Sequence, residues 1–504
     1  MIGTFQELES HLASHLQNIT DLPLSSLPHP FELENVKEAS EAIAQAIQKQ
    51  QKILIVGDYD ADGILSTALM VTFFKQIGIK HFSYTIPHRF NDGYGISIPI
   101  LERNEADLII TVDNGITATD VAQYCKAQGK TLIITDHHSP KEILPDALII
   151  NPQVSGFAQK EICGCFVAWY VCAGLKATLQ SSIDLTPFLE FVSIATISDI
   201  MPLTALNRTI LKKGLSLLNA PHFAFAQLLL QKYGSIDEEC IGFFIAPLLN
   251  ASGRMADTQK ALDFLFSQDI HEAQKHFEAL QALNTQRKEI QKALFIEAKH
   301  HLHETRECVV AYGTGWHEGV LGILANQLLE QYQKPTFVLT QKDGSYKGSG
   351  RGVDGVDLPA SLNALQDICN FGGHCKAVGL EVFDIEQFCT RFQAIRSQHP
   401  LKQGCDPVFH ISPTLLTAEL LALLQRYGPY GEGYPQPSFT LPPLPILEQK
   451  LIGKEKNHTQ FTLQTPKPIK VLAFFQTLDT LDFAQARFYA KRDAYQPIVL
   501  HLKP

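Results

Sequence analysis

Three short apolar runs rich in β-branched residues, Ile53–Val56, Leu108–Val112 and Thr131–Thr135, each lead directly into a carboxylate motif. Asp58-Tyr-Asp60-Ala-Asp62-Gly63 follows the first, Asp113-Asn114-Gly115 the second and Asp136-His137-His138 the third; Asp199 closes a later apolar stretch. Runs of this length, separated by helical stretches, predict buried parallel strands. The carboxyl ends of such strands open into one crevice, where ligands bind. Residues far apart in sequence are therefore expected to share an acidic pocket. So many carboxylates repel one another unless cations neutralise them. Oxygen-rich ligation with an imidazole suits Mg²⁺ or Mn²⁺ better than zinc, which favours thiolate and nitrogen. The pattern predicts a metal-dependent hydrolase.

Asp58, Asp60 and Asp62 alternate in a turn that opens onto Gly63, where a helix is expected to start. One such Asp could be a helix cap; three in alternation point to metal ligation. Asp113-Asn114-Gly115 could be a plain turn, whereas two imidazoles beside Asp136 at a strand end have no common packing role. Asp199 gains meaning only from the others. The expected ligands are Asp58, Asp60, Asp62, Asp113, His137 and Asp199. A two-metal mechanism needs a bridging carboxylate, and the middle strand makes Asp113 the expected bridge. Asp113, Asp136 and His138 form the expected catalytic set. His138 faces the phosphate as acid or electrostatic stabiliser while His137 ligates, although the residue types alone allow the two histidines to exchange roles.

A chain of 504 residues calls for two to four domains. No apolar run approaches the roughly 18 to 20 residues that cross a bilayer, and the start lacks the features of a signal peptide, so a cytoplasmic protein is expected. The 10 cysteines are scattered without a CxxC pair, and Cys163-Gly-Cys165 is the closest pairing. Reduced, buried thiols are expected rather than a zinc site. The net charge of −10 argues only weakly against a nucleic-acid partner, because carboxylates collected around cations are offset by them. His300, His301 and His303 read as solvated surface, and His271 and His276 lack zincin spacing.

The fold class expected is α/β. A βαβ rhythm from Ile53 to Asn151 gives way to helices carrying Asp199. Asp269 to Thr305 contains neither Gly nor Pro and reads as one connecting helix of about 50 Å. A second α/β rhythm follows, with a helix expected over Leu358 to Cys369. Beyond about His399, prolines and short alternating runs suggest a small OB-like β-domain.

The ordered set DYDADG, TVDNG, TDHH and ISD resembles the DHH phosphoesterase superfamily. Asn250-Ala-Ser-Gly-Arg254-Met, Trp316-His-Glu-Gly-Val320, Gly348-Ser349-Gly-Arg351-Gly and Phe371-Gly-Gly373-His374-Cys-Lys-Ala-Val-Gly379 are similar to its RecJ branch. The resemblance implies a DHH domain over 1–268, a connecting helix over 269–305, a DHHA1-type substrate-binding domain over 306–400 and an OB-like β-domain over 401–504. It implies a 5′-to-3′ exonuclease specific for single-stranded DNA, releasing 5′-mononucleotides with two Mn²⁺ or Mg²⁺ ions, in DNA repair and recombination. Arg89, Ser349 and Arg351 would hold the terminal 5′-phosphate, Arg254 would contact the DNA backbone, and His374 would join the substrate side of the cleft. Arginine forks suit phosphate, and glycines allow close backbone approach. A single-strand-binding protein and a RecQ-type helicase are the implied partners of a monomer. Two positions depart from the pattern: Val56 stands where members acting on small substrates carry His, and Tyr434 stands where Asn is expected. The rival readings are an oligoribonuclease or cyclic-dinucleotide phosphodiesterase of the same superfamily, and a non-enzymatic replication scaffold.

Overall fold

The computed structural model describes residues 1–16, 22–397, 408–453, 456–474, 476–492 and 498–503. The first lobe is built on a parallel sheet of β1 (Ile53–Val56), β2 (Phe82–Thr85), β3 (Leu108–Val112), β4 (Thr131–Thr135) and β5 (Leu148–Ile150), in the order β2-β1-β3-β4-β5. Alternation along β1 sends Ile53 and Ile55 into the core beneath the helices Ala61–Gln76, Gly164–Thr178 and Leu189–Ser198. Leu54 and Val56 enter the core on the opposite face, with Leu101, Val121 and Cys125. Both faces are covered, which is why these strands read as unbroken apolar runs. Helix Ala61–Gln76 buries Met70, Val71 and Phe74 as well as the stripe of Ile64, Leu65, Ala68, Leu69 and Phe73. It is a central helix, apolar almost all round, rather than an amphipathic cover.

The connecting helix runs Ile270–Ala298 and starts at Asp269, whose carboxylate accepts the N–H groups of His271 and Glu272. At 29 residues it is about 44 Å long. Ala273, Phe277 and Leu280 join the core of the first lobe, while Leu294 and Ala298 join that of the second. Sequence periodicity extends it to Thr305. Instead, β6 (Leu302–Glu304) pairs antiparallel with β7 (Val309–Thr314), the sheet edge claiming the backbone that a longer helix would use.

The second sheet adds β8 (Thr336–Lys342), β9 (Ser345–Arg351), β10 (Cys369–His374) and β11 (Ala377–Val382), in the order β10-β11-β9-β8-β7-β6. The glycine-rich segments are strands, not turns. A Cβ on Gly348 would stand 2.0 Å from the Val338 carbonyl oxygen, and one on Gly350 would stand 2.7 Å from the Phe337 ring. The helix expected from Leu358 to Cys369 stops at Leu362, because Cys369 pairs with Val382 and opens β10.

The third lobe carries β12 (Val408–His410), β13 (Ser438–Thr440), β14 (Ile446–Ile452), β15 (His458–Leu463), β16 (Ile469–Ala473), β17 (Phe488–Lys491) and β18 (Val499–Leu502) in one sheet, ordered β12-β13-β17-β18-β16-β15-β14. Its core includes Phe439, Phe461, Phe488 and Leu500, together with Leu8 and Leu12 from the N-terminal helix Phe5–Leu16. Ile2 bridges to Ile411. The first residues, placed by sequence with the first lobe, therefore pack into the third. Among the described residues no helix is long and apolar enough to cross a membrane.

Candidate active site

Asp58 to Asp62, Asp113 and Asp136 are delivered at the C-terminal edge of the first sheet, and Asp199 by the C-terminal end of the helix Leu189–Ser198. Asp60 caps helix Ala61–Gln76, accepting the Gly63 N–H at 3.1 Å, and the same carboxylate lies in a group that could hold a metal ion. Asp62 lies in the first turn and accepts the N–H groups of Gly164 and Cys165 at 2.6 and 2.9 Å. Asp113 follows β3 with φ of +63°, a left-handed conformation that Asp tolerates better than most residues. Its N–H donates to the Thr135 carbonyl at 2.9 Å. Beside it, the Asn114 amide donates to the carbonyls of Val56 and Val112 and accepts the Ile96 N–H. Asn114 thus ties the ends of β1 and β3 together. Asn250 fixes the other loop, its side chain accepting the Ala61 N–H at 3.0 Å.

These elements converge on His137. Its Nε2 lies 3.2 Å from Asp113 Oδ1, 3.5 Å from Asp199 Oδ2 and 3.8 Å from Asp62 Oδ2. Three ligand groups overlap: Asp62 with His137 and Asp199; Asp113 with His137 and His138; and Asp58 with Asp60 and Asp113. Asp113 and His137 each belong to two of them. Asp58 Oδ1, Asp113 Oδ1, His137 Nε2 and Asp199 Oδ2 are all buried without a hydrogen-bond partner. Such atoms are costly unless another ligand satisfies them. Burial and mutual repulsion hold the carboxyls of Asp58, Asp113 and Asp199 well above the ordinary carboxylate range. Burial and the charge of Asp60 push Asp62 to about 7, against the opposing N–H groups of Cys165 and Gly164. Burial pushes His137 down to about 3, so its ring is neutral and able to ligate. The nearby thiols of Cys163 and Cys165 are held well above their usual value by burial, and offer no thiolate. The donor set fits hard divalent cations and disfavours zinc.

His138 lies beside His137, with one ring nitrogen engaged by Asp136. Its Nδ1 lies 2.7 Å from Asp136 Oδ1, and although burial opposes charging, that hydrogen bond and charge raise the ring to about 9. Asp136 also accepts the N–H groups of Ile116, His137 and His138. It is buried and saturated. Through these bonds Asp136 faces His138 and the backbone of its own loop. The Tyr94 hydroxyl stands 3.3 Å from His138 Nε2, a neighbour that the sequence pattern did not single out.

Across the cleft, the second lobe presents His374, whose ring stacks on His138 at a centroid distance of 5.9 Å and 22°. Arg351 donates to the Ser349 hydroxyl and the Gly350 carbonyl. Both side chains lie over Gly322, where a Cβ would stand 2.8 Å from Arg351 Nη2 and 3.2 Å from Ser349 Oγ. Arg254 donates to the Gly319 carbonyl at 3.1 Å, joining the first lobe to the helix Glu318–Tyr332. Burial, then the charges of Arg89, Arg351 and Arg287, press Arg254 down to about 9. Arg89 lies over the Tyr59 ring at 4.8 Å. The expected phosphate-binding residues are thus gathered beside the carboxylate cluster. Crowded guanidiniums of one sign call for an anion. Gly319 belongs to the quoted Trp316–Val320 motif and lies against the Arg254 carbonyl, whereas Gly322 was not an expected contributor and only its close contacts with the Arg351 and Ser349 side chains reveal it.

Comparison with known proteins agrees with this layout. Residues 52–196 match the DHH family N-terminal domain, residues 306–397 the DHHA1 domain and residues 409–494 the RecJ OB domain. The chain is 33% identical to the single-stranded-DNA-specific exonuclease RecJ of Haemophilus influenzae, over 91% of this chain and 87% of that protein. It is 33% identical to the Escherichia coli protein of the same name, over 84% and 80%. The crystal structure of Thermus thermophilus RecJ in complex with Mn²⁺ superposes with a TM-score of 0.82 at 26% identity, covering 99% of this chain and 76% of that one. The structure of an exonuclease RecJ bound to manganese gives a TM-score of 0.63 at 28% identity, over 75% and 96%.

Proposed function

The chain belongs to the RecJ family of single-stranded-DNA-specific exonucleases, and from that premise we propose that it hydrolyses single-stranded DNA from the 5′ end, releasing 5′-mononucleotides. The observation that carries the reading is the juxtaposition of unpartnered ligand atoms on Asp58, Asp113, His137 and Asp199 with the Arg89, Arg254, Ser349 and Arg351 cluster. One half suits cations and the other suits phosphate.

Asp58, Asp60, Asp62, Asp113, His137 and Asp199 would hold Mn²⁺ or Mg²⁺, with Asp113 shared. When bound, the cations supply Lewis acidity toward the phosphodiester and lower the pKa of water. The remaining work falls to the chain. The guanidiniums of Arg89 and Arg351, with the Ser349 hydroxyl, bind and orient the terminal 5′-phosphate, which gives the 5′ polarity. Arg254 contacts the backbone beside them. His138, charged and held by Asp136, stabilises the scissile phosphate and can donate a proton at Nε2. His374 restricts the His138 ring from the opposite side. The third lobe extends the grip on the strand. The length of the match and this third lobe favour a long strand over an oligoribonucleotide or cyclic dinucleotide.

DNA repair and recombination are the processes proposed, with a single-strand-binding protein and a RecQ-type helicase as partners of a cytoplasmic monomer. A 5′-phosphorylated strand labelled at either terminus, incubated with Mn²⁺, Mg²⁺ or chelator, tests the activity and its polarity. Mononucleotide release from the 5′ label, lost in Asp113→Ala, is expected. Release from the 3′ label first, or full activity in Asp113→Ala, overturns the reading.

A further inference from the structure

The turn Gly431–Tyr434 is fixed to the first lobe from two sides. The Glu432 carbonyl accepts the Leu203 N–H at 2.8 Å, in the loop that follows Asp199. Arg208 lies over the Tyr434 ring at 4.2 Å and donates to the carbonyls of Tyr427 and Pro429 at 2.9 Å. From this anchored turn the Glu432 side chain reaches the second lobe, where its carboxylate lies 3.3 Å from Lys376 Nζ. Lys376 sits at the tip of the β10–β11 hairpin, two residues beyond His374, whose ring stacks on His138. All three lobes therefore meet at Glu432.

We propose that the Lys376–Glu432 pair is a latch that holds the hairpin tip, and with it His374, closed over the active site. Lys376 and Glu432 are positioning residues: neither touches the carboxylate cluster, and they act through His374. The anchored turn is a rigid post, whereas the ion pair is exposed, with half of the Lys376 side chain and 44% of that of Glu432 open to solvent. Exposed pairs of this kind bind weakly and yield to salt. Lys376 has a second partner within its own lobe, Asp354 at 2.9 Å, so it can release Glu432 without becoming unpaired. A hairpin held in this way stays closed on a threaded strand yet opens at low cost. The inference deepens the exonuclease reading and rests on it for its substrate, although the closure itself does not.

The test pairs amide hydrogen exchange at the hairpin tip with the number of nucleotides removed per encounter, measured on a long 5′-phosphorylated strand against excess unlabelled trap. In Glu432→Gln and Lys376→Gln, tip exchange is expected to rise, and nucleotides per encounter to fall, each by about 2- to 5-fold. Lys376→Arg, which keeps the charge, should restore both. Asp354→Asn should leave both near wild type, because it removes only the partner within the lobe. Unchanged tip exchange in Glu432→Gln, or an effect carried wholly by Asp354→Asn, overturns the latch. A wild-type protein that cuts no DNA would instead refute the exonuclease reading, with the exchange measurement still deciding the latch.

Discussion

Gly164 lies directly against the carboxylate of Asp113: a Cβ at Gly164 would stand 2.4 Å from Asp113 Oδ1. The Gly164 N–H meanwhile donates to Asp62, so the start of helix Gly164–Thr178 forms the floor beneath two proposed ligands. Gly164→Ala should displace Asp113 without removing any ligand. Displacements of about 1 Å can cost roughly 100-fold in rate. The expected result is a loss of that order in nuclease activity, with weaker Mn²⁺ binding by calorimetry and an unchanged circular dichroism spectrum.

The two histidines should separate cleanly on mutation. His137 Nε2 faces three carboxylates, whereas His138 is engaged by Asp136 and by the His374 ring. His138→Gln should lower kcat by about 100- to 10,000-fold with Mn²⁺ affinity retained. His137→Gln should lower Mn²⁺ affinity itself. Asp136→Asn should resemble His138→Gln, since it removes the charge that holds the ring. Equal losses of metal binding in the two histidine variants would contradict this division.

The convergence of Asp58, Asp113 and Asp136 was legible because parallel strands impose it: residues just past Val56, Val112 and Thr135 must lie along one sheet edge, whereas Asp199 arrives at the end of the helix Leu189–Ser198. The connecting helix was legible from an uninterrupted polar period. What the pattern concealed was mostly tertiary. Gly348 and Gly350 are strand positions where a neighbouring backbone or ring leaves no room for a side chain, and that close packing is not visible in the sequence. A carboxylate beside two imidazoles was legible at Asp136, but its set of hydrogen bonds to Ile116, His137 and His138 was not. The docking of Leu8 and Leu12 into the third lobe joins the two ends of the sequence, and no local signal announces it.

The same crowding makes the metal-free protein sensitive to pH. Asp58, Asp62, Asp113 and Asp199 have folded-state pKa values above the ordinary carboxylate value, so the folded state binds more protons than the unfolded state. Their contribution is fully present below about pH 4 and is lost as pH rises through the folded values, toward about 7 for Asp62. His137, depressed to about 3, opposes this with one proton up to its ordinary value near 6.5. The carboxylates outnumber it. In chelator, the melting temperature should therefore fall between about pH 4 and pH 7. Saturating Mn²⁺ should raise it most at the upper end, because ligands bind metal deprotonated. A chelated protein whose melting temperature rises across that window would contradict the assignment.

Tyr434 replaces the Asn expected in its loop, and the structure gives the substitution a partner. The Arg208 guanidinium is buried against the Tyr434 ring while donating to the carbonyls of Tyr427, Gly428 and Pro429. Tyr430 stacks on Tyr434 at 5.8 Å. Arg208→Ala would strand these carbonyls, a loss of about 2–4 kcal/mol at the junction of the first and third lobes. Arg208→Lys should recover little of it, since an ammonium cannot span several carbonyls as a planar fork does. Tyr434→Asn removes both ring contacts and opens a cavity, for about 2–3 kcal/mol. Differential scanning calorimetry is the decisive measurement. In Arg208→Ala the third lobe is expected to melt ahead of the other two as a separate transition, while a single transition at the wild-type temperature would show that the junction does not depend on this residue.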